Sequence, residues 1–257
     1  MVPSINRKAQ AMQSEQPKRT PSGRSRRRGL IYLILAVVGL AVVVGVGFAA
    51  QSGTAGTDPA ASDASGQGSD EPLIDMSRRI EGDPTALGAT DAPVVIVEYS
   101  DYRCPFCAVF ARDTMPLLVD EYVTSGQVRF EWRDLTVFGQ QSIDAAVAGR
   151  AAGNQGIFWE YSDAIFKDAP ERAHIVLPRE RLLQIGRDVG VPDMARFESD
   201  LSDAALLKLV TDDTAEAQSI GATGTPLFLI NDTPITGAQP LAAFRQAIDR
   251  ELEEAAK

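Results

Sequence analysis

This 257-residue chain contains two cysteines, and they stand three positions apart in the stretch SDYRCPFC, residues 100–107. Two thiols at that spacing admit three chemistries: a redox-active dithiol, part of a zinc site, or a fixed disulfide. Zinc needs two more ligands, and the chain has no further cysteine and only one histidine, His174. A permanent bridge closing a four-residue loop restricts the unfolded chain little. Disulfide exchange suits the pattern better. Residues i and i+3 share one face of a helical turn, close enough to bridge. Pro105 fits a first helical turn, where its missing N–H had no intrahelical partner. The free amides and positive dipole end of such a helix stabilise a thiolate. Cys104, nearest that end, is expected to be exposed and to attack. Cys107, one turn in, is expected to resolve the mixed disulfide.

A strand must deliver this pair, and Pro93 to Tyr99 (PVVIVEY) is a short β-branched run of the kind buried on both faces. Apolar residues from Cys104 to Tyr122 recur at helical spacing, with Pro116 expected to kink the helix. Gly126 ends it and Val128–Leu135 alternates as a strand, completing a β-α-β unit. Residues 140–220 read as several helices separated by Gly, Pro and Asn. Strand character returns in TPLFLI (225–230), Asn231-Asp232 suggests a hairpin, and Leu241–Leu252 forms a closing amphipathic helix. The two sequence-distant halves are expected to share one sheet, with the helices inserted between them. His174 reads as a solvated loop residue, Trp132 and Trp159 as core aromatics, and Asp212 and Asp213 as an exposed helix face.

Charge is divided unevenly. Residues 1–28 carry eight Lys and Arg against Glu15, a net of +7; the whole chain carries −10, so the remainder carries −17. Positive charge confined to a Pro/Ser/Gln-rich tail does not describe a nucleic-acid binder. Gly29 to Ala50 is a 22-residue uncharged run behind Arg26, Arg27 and Arg28. It is long enough to span a hydrocarbon core of about 30 Å, and its basic flank predicts a cytoplasmic N-terminus. A cleaved signal peptide is the alternative, but the run exceeds the usual apolar stretch of about 7–15 residues. The expected organisation is a basic cytoplasmic tail (1–28), a transmembrane signal-anchor (29–50), a flexible Gly/Ser/Asp-rich stalk (51–77) and a folded body outside the cytoplasm (78–256), its helical insertion at about 138–220. The stalk is too short and polar to fold as a dimerisation domain, which favours a monomer. No metal and no cofactor is expected, since nothing resembles a phosphate loop, a Ser/His/Asp set or a dinucleotide fingerprint.

The stretches VIVEYSDYRCPFC (95–107) and GATGTPLFLIN (221–231) together resemble the DsbA-like thiol:disulfide oxidoreductases over about residues 78–256. The resemblance implies an α/β thioredoxin-like fold with an inserted helical domain. It implies that Cys104 and Cys107 are the redox pair and that Pro226 is the family's cis-proline facing the disulfide. Thr225 would line the same groove, where an extended substrate segment can add alongside. Glu98 matches a buried acid that helps move the resolving thiol's proton, a task that burial would suit by raising its pKa. Pro105 and Phe106 complete the motif. The most oxidising members resemble Cys-Pro-His-Cys, and Phe106 stands where that histidine would be. Phe offers the Cys104 thiolate neither a hydrogen bond nor a charge, so the couple should be less oxidising, and its apolar surface could help bind unfolded substrates. The implied partners are exported polypeptides with free thiols and a quinone-linked membrane protein that reoxidises the pair. A reductase or isomerase kept reduced by a membrane electron donor, and an anchored chaperone or binding module with a static disulfide, remain as alternatives.

Overall fold

The computed structural model describes residues 75–257. The basic tail, the apolar run 29–50 and the stalk up to residue 74 lie outside the described residues. Among the described residues no helix is long and apolar enough to cross a membrane.

The sheet is built around β2 (Val94–Ser100), whose seven residues are all buried. Such a strand needs cover on both faces, and β-branched Val and Ile pack well on a pleated surface. On one side β3 (Val128–Asp134) runs parallel to it, Glu98 standing opposite Trp132. On the other, β4 (Leu227–Ile230) runs antiparallel, with Tyr99 opposite Leu227. A hairpin joins β4 to β5 (Thr233–Thr236), its turn carrying Asn231 at φ 51°, a left-handed conformation that Asn tolerates. A two-residue strand β1 (Ala86–Leu87) pairs antiparallel to β3, giving the order β1-β3-β2-β4-β5. So short a strand has no periodicity to read in the sequence.

Helix α1 (Pro105–Asp113) and the single turn α2 (Met115–Leu118), with a π-helical turn Val119–Val123 behind it, occupy the stretch expected as one kinked helix. The break falls at Thr114, because Pro116 has no N–H to give to the Arg112 carbonyl. Five helices follow β3: α3 (Gln140–Gly153), α4 (Phe158–Lys167), α5 (Arg179–Asp188), α6 (Met194–Asp200) and α7 (Ala204–Ser219). The chain closes with α8 (Leu241–Ala255).

Three apolar clusters divide the interior. Ile96, Phe130 and Phe228 meet Phe110 of α1 and Phe244 and Ile248 of α8 on one sheet face. Val95, Val97 and Tyr99 meet Ala217 of α7 on the other. The third gathers Tyr161, Leu182 and Phe197 of the helical block, and it also takes in Tyr102, Cys104, Cys107 and Trp132. Helix α1 therefore turns Phe110 to the sheet and both cysteines towards the inserted helices. Trp132 is a core aromatic as expected, while Trp159 is partly buried against the core; each packs edge-on against Phe158.

One expectation about α7 fails. Asp212 is exposed, but Asp213 is buried. Packing of α7 on β3 turns Asp213 inward, where it pairs with Arg150 of α3 and with Arg78 at 2.7 Å and accepts the Asp134 amide at 3.1 Å. The same sheet face buries a second ion cluster on β3: the Glu131 carboxylate takes Arg129 and Arg133 at 2.7 Å each, and the backbone amides of Arg78 and Arg79. Burial opposes ionisation of Glu131, but the Arg78 amide and the two guanidinium groups outweigh it and lower its pKa to about 2.

Candidate functional site

Strand β2 ends at Ser100, and the chain makes a turn in which the Cys104 amide donates to the Asp101 carbonyl at 3.0 Å. Cys104 itself is the N-cap of α1, extended at φ −77° and ψ 120°, with Pro105 opening the first turn. A side chain at an N-cap faces the unsatisfied amides of the turn beyond it. Here that side chain is a thiol that makes no capping hydrogen bond in the thiol form, and the nearby amides of Phe106 and Cys107 favour its thiolate.

Cys107 lies one turn further on and is fully buried. The Cys104 thiol is pulled down to about 6, chiefly by the hydrogen bond that the Cys107 thiol gives its sulfur, with burial opposing and Thr225 and the two amides assisting. Cys107 moves the opposite way, well above the ordinary thiol range. Burial is the main cause, followed by the proton it shares with Cys104 and the negative charges of Cys104 and Glu98. In the reduced protein the pair therefore settles as a Cys104 thiolate held by a Cys107 thiol.

Contrary to expectation, Cys104 is not an exposed residue: it is 2% accessible. The cover comes from the Thr225-Pro226 peptide, which precedes β4 and is cis. In the thiol form Cys104 Sγ donates to the Thr225 carbonyl at 3.3 Å, while the buried Thr225 hydroxyl has no partner. Loss of the proton leaves that hydroxyl free to donate to the sulfur. Pro226 is buried, and its carbonyl accepts the Gly237 amide at 2.8 Å, which ties the covering loop to the end of β5. Phe106 is 61% exposed beside the thiol, and Pro105 is half-buried.

Glu98 is 1% accessible, on the face of β2 that α1 covers. Burial raises its pKa to about 8, and the Cys104 thiolate adds to the rise. At neutral pH it is a carboxylic acid with a proton to give, beneath a thiol whose own proton is held tightly. Cys104, Cys107, Thr225, Pro226 and Glu98 thus converge on one end of the sheet, with Phe106 at its mouth.

The residues just before Cys104 are as closely fixed as the thiols, and their types alone did not mark them. Tyr102 is buried, stacked on Trp132 and Phe166 with centroids 5.1 and 5.4 Å away, its hydroxyl 2.7 Å from that of Ser162. The Asp101 carboxylate accepts the amides of Arg103 and Val137, each at 2.8 Å. The signal for both was a charged residue on each side of an aromatic one, immediately before a cysteine. His174 is exposed as expected, yet its Nδ1 lies 2.9 Å from the Arg103 carbonyl oxygen.

A dithiol at a helix N-terminus, one sulfur activated and the other buried over a protonated acid, beneath a Thr-Pro loop on a mixed sheet, defines a thiol:disulfide oxidoreductase of thioredoxin fold with an inserted helical block. The family model described as Thioredoxin matches residues 81–250, and the chain belongs to that family. It is 30% identical over 173 residues to a protein of Bacillus anthracis described as probable disulfide bond formation protein D, covering 66% of this chain and 78% of the relative. The crystal structure of oxidised BdbD from Bacillus subtilis superposes with a TM-score of 0.62 at 26% identity, covering 68% of this chain and 95% of that one. The fold is also that of Wolbachia pipientis α-DsbA1, with a TM-score of 0.60 at 22% identity over 67% of this chain and 92% of the other.

Proposed function

We propose that the protein introduces disulfides into exported polypeptides. In its oxidised form a substrate thiolate attacks Cys104 Sγ. The Cys104–Cys107 bond breaks, a mixed disulfide forms, and Cys107 leaves as a thiolate that takes a proton from Glu98. A second substrate thiolate then attacks the substrate sulfur of the mixed disulfide and expels the Cys104 thiolate. The substrate gains a disulfide, and two electrons rest on the enzyme as the reduced pair. Turnover requires an oxidant, which we assign to a quinone-linked membrane partner. Thr225 and Pro226 would flank the substrate segment, with Phe106 supplying apolar contact.

The observation that carries this reading is the placement of the two thiols, Cys104 at the N-cap of α1 against the Thr225 carbonyl and Cys107 fully buried one turn in, an arrangement that lowers the first pKa and raises the second. A stabilised Cys104 thiolate is a good leaving group and favours the reduced enzyme, which makes the disulfide an oxidant. The test is the equilibrium reduction potential of the pair in the purified chain against glutathione. A value well above the cytosolic pool supports oxidation of substrates. A value that resists glutathione overturns it and favours a reductase or isomerase fed by a strong donor. Phe106 is the residue that favours this second reading, since its side chain gives the thiolate no hydrogen bond and no charge.

The location is part of the proposal: residues 29–50 anchor the chain, the basic tail stays in the cytoplasm and the body works outside as a monomer. Protease added to intact cells should digest the body and spare the tail. A mature chain beginning near residue 50 would overturn the anchor.

A further inference from the structure

Arg103, the residue before Cys104, reaches away from the sulfur to the inserted segment. Its Nε donates to the Ile175 carbonyl at 3.0 Å and its Nη1 to the Phe138 carbonyl. Its own backbone is engaged as well: the amide donates to Asp101 Oδ1 at 2.8 Å, and the carbonyl oxygen lies 2.9 Å from His174 Nδ1. Asp101 Oδ2 accepts the Val137 amide at 2.8 Å, and the His174 ring packs 4.1 Å from the ring of Phe138. Two loop segments, 137–138 after β3 and 174–176 between α4 and α5, are thus fastened to each other and to the chain entering the redox site.

The same two segments expose apolar side chains. Val137 is 41% and Val176 is 66% accessible, and Phe106, two residues past Cys104, is 61% accessible. These loops carry no regular ladder of their own, so side chains hold them: Asp101 takes the Val137 amide, Gln141 takes the Leu177 amide at 2.9 Å, and Arg103 bridges a carbonyl of each segment beside the thiol. A planar guanidinium can serve two acceptors on different segments at once; a lysine ammonium on a flexible stem is not preorganised to do so.

We propose that Arg103 is a positioning residue for protein substrates: it clasps segments 137–138 and 174–176 beside Cys104, so that Val137, Val176 and Phe106 form a fixed apolar frame for an extended polypeptide carrying the thiol. This rests on the disulfide-exchange reading and goes beyond it. Arg103 acts on recognition and leaves the chemistry of the sulfur alone.

The experiment compares two reductants on the oxidised full-length chain: dithiothreitol, which needs no frame, and an unfolded dithiol peptide with Leu and Phe flanking its cysteines. For Arg103→Ala, kcat/KM with the peptide should fall about tenfold, mainly through KM. The dithiothreitol rate and the pH profile of Cys104 alkylation should stay at wild-type values. Arg103→Lys should recover part of the loss, and His174→Ala should give a smaller loss of the same kind. Should Arg103→Ala fail to fold, Arg103→Lys carries the same comparison. Equal loss with both reductants, or no loss with the peptide, overturns the proposal. Wild-type exchange with dithiothreitol tests the redox reading separately.

Discussion

Gly149, in the middle of α3, is the space that Tyr102 occupies: a Cβ there would collide with the Tyr102 hydroxyl, whose partner is the Ser162 hydroxyl at 2.7 Å. A helical glycine costs roughly 1 kcal/mol against alanine, so its presence needs a reason, and the tyrosine supplies one. Gly149→Ala should therefore destabilise the protein by about 1–3 kcal/mol in spite of its better helix propensity. Denaturant midpoints measure the loss. Tyr102→Phe combined with Gly149→Ala should recover part of it, since the colliding oxygen is then gone.

The largest single influence lowering the Cys104 pKa is the proton offered by Cys107. Thiolate absorbance at 240 nm in the reduced protein should titrate with a midpoint of about 6. Cys107→Ala removes the donor and should move that midpoint upward; Cys107→Ser keeps a hydroxyl donor and should move it less. Cys104→Ser should abolish exchange, while Cys107→Ser should accumulate a mixed disulfide with a disulfide-bearing peptide, seen by mass spectrometry.

Glu98 titrates from about 4.5 when unfolded to about 8 when folded, so the folded protein holds the proton more tightly. Its contribution to stability is complete below pH 4.5 and declines as pH rises towards 8. Glu98→Gln should consequently show a stability advantage that grows through this window, on the order of 1–4 kcal/mol at its upper end. The same variant should slow attack on the oxidised pair by about tenfold or more at pH 7, because Cys107 leaves without a nearby acid. Stopped-flow fluorescence at several pH values would register both effects.

Phe106→His should lower the Cys104 midpoint and make the couple more oxidising. Each pKa unit of added thiolate stabilisation corresponds to about 30 mV for a two-electron couple. Glutathione equilibria on the wild-type and variant chains provide the comparison, and an unchanged potential would contradict it.

Acid should attack the far face of the sheet. The Glu131 pKa is lowered to about 2, so the stability it contributes is present above pH 4.5 and is lost as pH falls from there towards 2. Glu131→Gln should lower stability at pH 7 by about 3–5 kcal/mol, leaving Arg129 buried without its anion and Arg133 with only Glu216 at 3.4 Å, and should flatten the acid limb of the profile.

Much of this architecture was legible because it depends on local pattern. The β-branched run of β2, the Asn231 turn and the amphipathic spacing of α8 are short-range signals, and the two-cysteine turn is another. What could not be read came from partners distant in sequence. Asp213 looks like part of a solvated helix face until α7 meets β3 and brings it to Arg150 and Arg78. Cys104 looks exposed at a helix start until Thr225, 121 residues away, covers it. Pro226 was placed by family resemblance, since its position opposite the thiol follows from tertiary structure. Arg103 was legible as a charge and illegible as a clasp, because both of its acceptors are backbone carbonyls that no sequence displays.

The distance in sequence between Cys104 and its cover has a temporal meaning. Synthesis proceeds at about 5–20 residues per second, so the cysteines emerge roughly 6–24 seconds before Thr225 does. Throughout that interval the pair has neither the Thr225 carbonyl nor β4 beside it, and its thiols are open to any oxidant or nascent neighbour. The newborn enzyme passes through the condition of the substrates proposed for it: an incomplete chain with two bare thiols, awaiting the segment that will enclose them.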